Sequence, residues 1–142
     1  MRRSVVLIST VVLVLGLAVP VAAGGRPMST ALTGAAEAPV PGDPDGSGFA
    51  AITLNQGLGQ VCFDIEVSDV DEILAAHVHV GAAGVPGPIV VSFDVPVNGL
   101  SGCVDGIDRD LIKDIRQHPD GYYVNVHNAA FPGGALRGQL SK

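Results

Sequence analysis

The segment QVCFDIEV, residues 60–67, shows the clearest strand pattern in the chain. Its apolar residues alternate with more polar ones, and they are Val61, Phe63, Ile65 and Val67. Successive side chains of a β-strand point to opposite faces, so this period of two predicts a strand with one buried face and one solvated face. Cys62 lies on the polar face, where we expect it to reach a peripheral loop.

Short segments of similar character lie on both sides of this strand. Strands are predicted at 49–55, 74–80, 89–93, 100–104, 122–128 and 135–140, after a first strand within 26–33. The connections are rich in glycine and proline, which number 19 and 10 in the chain. Many short strands separated by such turns indicate an all-β domain.

Only one segment has a helical pattern. Within 105–118, apolar residues recur at helical spacing, Asp105 or Asp108 could cap the first turn, and Pro119 would end the helix. The sequence therefore predicts an antiparallel Greek-key β-sandwich or flattened barrel of about eight short strands, with one short helix near 108–117.

The first 23 residues have the pattern of a secretory signal peptide. Arg2 and Arg3 precede an apolar run at 5–19, and the small residues of 21–23 supply a cleavage site. The run is short for a membrane span. We expect a signal peptide at 1–23, a single β-domain at 24–142, no membrane span after cleavage, and a secreted, periplasmic or cell-surface location.

The two cysteines of the chain, Cys62 and Cys103, are expected to form a disulfide bond, since exported proteins meet an oxidising environment. Two free buried thiols are the alternative. The formal net charge of −6 comes without a basic cluster, which argues against binding to nucleic acid. Any partner is expected to be extracellular, and its nature is left open.

Histidines carry the strongest chemical signal. In AHVHVGAAGVPGPIVV, residues 76–91, His77 and His79 are two apart on a strand and so share a face opposite Ala76, Val78 and Val80. His127 shares a face with Asn125 on the later strand YYVNVHN. If the two strands approach each other, three imidazoles converge, and neutral imidazoles suit copper or zinc.

A polar network without metal is the alternative. The same three histidines, with Asn125 and Arg137, could anchor loops 81–88 and 128–134 to the sheet. Arg137 could instead steer an anion. If a metal is present, Asp120 or Glu72 could orient the imidazoles. No nucleophilic triad or carboxylate pair can be picked out, so no catalytic residue is expected.

Three stretches together resemble the CHRD domain of exported bacterial proteins. They are LTGAAEAPVPGDPDGSGFAAITL (32–54), AHVHVGAAGVPGPIVV (76–91) and DGYYVNVHNAAFPGGALRGQL (120–140). The resemblance implies an exported β-domain without an established reaction. The expected function is a non-enzymatic binding or structural module, and the alternative is a copper- or zinc-binding protein.

A more distant likeness is to copper/zinc superoxide dismutase, a Greek-key barrel. It rests on the pair His77 and His79, on His127, and on Arg137 before the last strand. The bridging histidine and the loops of that family are not recognisable here. The likeness implies a related fold and, less directly, superoxide dismutase-like activity.

Overall fold

The computed structural model describes residues 27–95 and 99–142, so the predicted signal peptide lies outside the described residues. One α-helix, α1, spans Arg109–Gln117. Eight strands surround the core: β1 Met28–Thr33, β2 Ser47–Asn55, β3 Gln60–Ser68, β4 Ile73–Val80, β5 Ile89–Phe93, β6 Ser101–Val104, β7 Tyr122–Asn128 and β8 Leu136–Gln139.

The strands form one antiparallel sheet in the order β5-β4-β7-β8-β1-β2-β3-β6. The sheet curls into a nearly closed barrel. Its two ends approach each other, as the ring of Phe63 in β3 stacks on that of Phe93 in β5 with centroids 4.2 Å apart. Across this closure the spatial order is β7, β4, β5, β6. This is a Greek key, because three consecutive strands lie side by side and the fourth returns to lie beside the first. The predicted all-β fold with about eight strands and one short helix is confirmed.

The alternating pattern of β3 gives the barrel its apolar interior. Val61, Phe63 and Ile65 are buried, as predicted, while Asp64 between them is exposed. On β4, Ala76 and Val78 are buried too. Val80 was expected on the same buried face but is 37% exposed, since it is the last residue of β4 and lies beyond the core.

Helix α1 begins where the sequence predicted a cap. The Asp108 carboxylate accepts a hydrogen bond from the backbone nitrogen of Asp110 at 2.7 Å, which satisfies a free donor of the first turn. Ile112 and Ile115 are buried against the core of the barrel. The helix therefore contributes to the core.

Cys62 and Cys103 form the predicted disulfide bond, with the two sulfur atoms 2.05 Å apart. They are direct register partners in β3 and β6. The expectation that Cys62 reaches a peripheral loop is therefore wrong, because Cys103 belongs to the strand at the end of the sheet. A disulfide-bonded domain fits an extracellular location. No helix in the described part of the chain is long and apolar enough to cross a membrane.

Candidate metal centre

The outer face of β4, β7 and β8 is polar, whereas their inner face is apolar. Register pairs His77 with Asn125 and His79 with Tyr123, and it pairs Asn125 in turn with Arg137. Side chains of paired residues share a face, so these residues and His127 lie together outside the barrel. The non-local pairing of β4 with β7 is what brings the histidines of two distant segments into one place.

The three histidines converge. His77, His79 and His127 each offer a nitrogen, and these three atoms lie within 4.8 Å of one another. The closest pair is His77 Nδ1 and His127 Nε2, at 3.2 Å. His79 is buried, while the other two are half-buried, so the cluster has an inner and an outer side.

In two of the three histidines, a hydrogen bond to a backbone carbonyl fixes which ring nitrogen carries the proton. His79 donates from Nδ1 to the carbonyl oxygen of Gly87 at 2.8 Å, and His127 donates from Nδ1 to that of Pro132 at 3.1 Å. Each ring therefore keeps its lone pair on Nε2. The buried Nε2 of His79 has no hydrogen-bond partner among the described residues.

The surroundings keep the three imidazoles neutral. Burial lowers the pKa of His77 to about 4, with further lowering by the nearby His127 and His79. Burial also lowers the pKa of His79. The hydrogen bond to Gly87 raises this pKa, whereas the Arg137 charge lowers it further. The pKa of His127 is lowered mainly by burial. Neutral imidazole is the form that binds metal ions.

Loop 81–88 is bound to this face by several hydrogen bonds. The Tyr123 hydroxyl accepts from the Gly87 nitrogen at 3.1 Å, and its ring stacks on His79 with centroids 4.8 Å apart. Arg137 donates to the carbonyl oxygens of Ala82 and Val85 at 2.7 and 3.1 Å. The loop that holds His79 is thus itself held by β7 and β8.

Arg137 is buried, at 2% exposure, and its guanidinium lies 3.5 Å from the centroid of the Tyr123 ring. Arg137, Tyr123 and His79 therefore form a stacked column along the outer face. Arg137 lies beneath loop 81–88, to which it donates its hydrogen bonds.

Glu37 also contacts this face, and the sequence analysis did not identify it. Its carboxylate accepts a hydrogen bond from Asn125 Nδ2 at 2.6 Å, and the residue is 8% exposed. Burial raises the pKa of Glu37 to about 7, although the Arg137 charge and the hydrogen bond from Asn125 act in the opposite direction. The one feature of the sequence that could have pointed to Glu37 is its position within 32–54, the first of the three stretches that resemble the CHRD domain.

Two other candidates lie elsewhere. Among the described contacts, neither the Asp120 nor the Glu72 carboxylate bonds to an imidazole, because backbone carbonyls of the loops take that place. The fourth histidine, His118, follows α1 and contacts Asp114 at 3.0 Å. It does not belong to the cluster.

Fold and site together define a small disulfide-bonded β-barrel domain with a histidine cluster on its outer face. The chain belongs to the CHRD domain family, whose model matches residues 28–140. The predicted membership is thereby confirmed, and it fits a binding or structural module. No curated protein and no solved structure matches the chain. The likeness to copper/zinc superoxide dismutase stays a prediction.

Proposed function

We propose that this protein is an exported CHRD-domain module that binds a copper or zinc ion through His77, His79 and His127. The observation that carries the proposal is the convergence of three histidine nitrogens within 4.8 Å of one another. The predicted signal peptide and the disulfide bond support export.

The spacing of the closest pair of nitrogens suits a metal ion. Two nitrogens bound to one tetrahedral zinc ion at 2.0–2.1 Å are about 3.3 Å apart. His77 Nδ1 and His127 Nε2 are 3.2 Å apart. Without metal, His77 donates its Nδ1 proton to His127 across this distance. For His77 Nδ1 to bind a metal ion, this proton would move to Nε2 of the same ring, which keeps the imidazole neutral.

The orientation of the rings supports the same proposal. The Nδ1 hydrogen bonds of His79 and His127 leave both Nε2 lone pairs available for a ligand. Hydrogen bonds of this kind, from the second ring nitrogen to a carbonyl, accompany most histidines that bind metals. Imidazole ligands suit both copper and zinc, and divalent copper is bound more tightly than zinc by a given set of such ligands.

Metal retention tests the proposal. The disulfide-bonded domain is incubated with Cu(II) or Zn(II), dialysed, and analysed for bound metal. We expect one ion per chain in the wild type and strongly reduced retention in His77→Ala, His79→Ala and His127→Ala. His118→Ala is the matched control and is expected to retain the metal, because His118 lies outside the cluster.

Two results would overturn the proposal. One is the absence of retained metal in the folded wild type with either ion. The other is retention that is equal in the wild type and in the three variants of the cluster. In that case the metal would be held by other groups, and the histidines would serve only to anchor the loops.

A further inference from the structure

We propose that the metal ion at His77, His79 and His127 keeps one coordination position open toward solvent and takes a small anion there. This inference rests on the proposed metal site. It goes further, since it assigns the site a second ligand, supplied from solution.

Three protein ligands leave a fourth coordination position of the metal ion free. Copper and zinc bind at least four ligands in most protein sites, and sites with three protein ligands keep the fourth for water or an exogenous ligand. In the residues that the structure describes, the cluster around the three histidines includes no cysteine or carboxylate.

Burial indicates where the open position lies. His79 is 8% exposed and forms the inner side of the cluster. His77 and His127 are half-buried and form its outer side. A metal ion bound by all three nitrogens is therefore closed by protein beneath and faces solvent between His77 and His127.

Local charge favours an anion, although the whole chain is acidic with a formal net charge of −6. Three neutral imidazoles leave both positive charges of the ion uncompensated. The guanidinium of the buried Arg137 lies 3.5 Å from the centroid of the Tyr123 ring, which in turn stacks on His79, so its charge adds positive potential near the site. The opposing carboxyl is Glu37, whose pKa is raised to about 7 by burial, so near neutral pH it supplies less than a full negative charge.

Azide is a suitable probe because it is a small anion and gives a charge-transfer absorption band when it binds Cu(II). The copper-loaded wild type is titrated with sodium azide and followed by absorption and by electron paramagnetic resonance. We expect a saturable new band and a changed copper spectrum, with azide replacing a bound water molecule and no change in oxidation state.

Two variants test the charge argument. Arg137→Gln is expected to weaken azide binding several-fold, whereas Arg116→Gln, which removes an equal charge from the exposed side of α1, is expected to leave it unchanged. If circular dichroism shows that Arg137→Gln does not fold, the wild-type titration decides alone.

The outcomes separate the two proposals. A protein that retains no copper contradicts the metal site itself. A protein that retains copper but shows the same spectra in a large molar excess of azide overturns the open position while the metal site stands. Equal azide affinity in wild type and a folded Arg137→Gln variant overturns the contribution of Arg137.

Discussion

Gly87 determines the orientation of His79 although it has no side chain. Its carbonyl oxygen accepts from His79 Nδ1, and its nitrogen donates to the Tyr123 hydroxyl. A methyl group at this position would overlap the carbonyl oxygen of Val80, so the residue is a glycine for reasons of space. The orientation of the His79 ring is therefore fixed by a close approach between the loop and the strand.

Gly87→Ala should weaken metal binding without removing any ligand. The added methyl group displaces loop 81–88, and His79 loses the acceptor that holds its ring. Loss of such an outer partner typically lowers metal affinity about 10–100-fold. Competitive titration against a chelator measures the change. Gly57→Ala is the control, since the space around Gly57 is open. Wild-type affinity in Gly87→Ala would contradict the role of this carbonyl.

Glu37 should make the folded domain less stable as the pH rises. Its pKa is raised by burial to about 7 in the folded state. The folded state thus binds the proton more tightly than the unfolded chain, so this contribution to stability is present at acidic pH and is lost as the pH rises toward 7 and above. At about 1.4 kcal/mol per pKa unit, a rise from 4.5 to about 7 corresponds to at most about 3.5 kcal/mol.

Glu37→Gln isolates this effect from the three histidines of the cluster, whose lowered pKa values make the folded domain more stable as the pH rises. Urea unfolding of metal-free protein at several pH values gives the free energy of unfolding of both forms. We expect the wild type to lose stability relative to Glu37→Gln between pH 5 and 8. Parallel pH profiles of the two proteins would show that Glu37 titrates normally.

Strand β6 is joined to the sheet on one side by β3 and is fixed there by the disulfide bond. Cys62 and Cys103 are register partners and are 41 residues apart in sequence. The enclosed chain includes β4 and β5, and thus His77 and His79. The bond therefore restricts the unfolded chain across the segment that carries the first two histidines of the cluster.

Replacement of both cysteines by serine should lower the free energy of unfolding by about 3–4 kcal/mol, because a loop of this length is released in the unfolded state. Urea unfolding of the wild type, the reduced wild type and the double variant measures the loss. The reduced wild type should match the double variant. Unchanged stability in both would contradict a structural role for the bond.

At the level of strands, the sequence pattern was a good guide because it is local. Alternation in 60–67 identified the inner face of β3, and the spacing of His77 and His79 placed them on one face. The register between distant strands is not local, and the approach of His127 could only be expected conditionally. Glu37 and the Gly87 carbonyl were missed because they reach the site from loops, where no periodicity marks a contact.

The whole molecule combines a rigid barrel with one polar face covered by loops. Its core comes from alternating strands and from Ile112 and Ile115 of α1. Side chains of the polar face donate hydrogen bonds to backbone carbonyls of the loops, and three neutral imidazoles lie on this face.

Export is tested on the whole chain. Expressed in full in a bacterial host with a secretion pathway, the protein should be cleaved after Ala23 and recovered outside the cytoplasm with its disulfide bond formed. Intact-mass analysis with and without reduction measures both features at once. A chain that keeps residues 1–23 and two free thiols would contradict the prediction.

The most direct test of the metal site is the nitrogen hyperfine structure in the electron paramagnetic resonance spectrum of the domain loaded with one equivalent of Cu(II). We predict coupling to three imidazole nitrogens, with one fewer in His127→Ala and no change in His118→Ala. A spectrum dominated by oxygen or backbone ligands, or one unaffected by His127→Ala, would contradict the account.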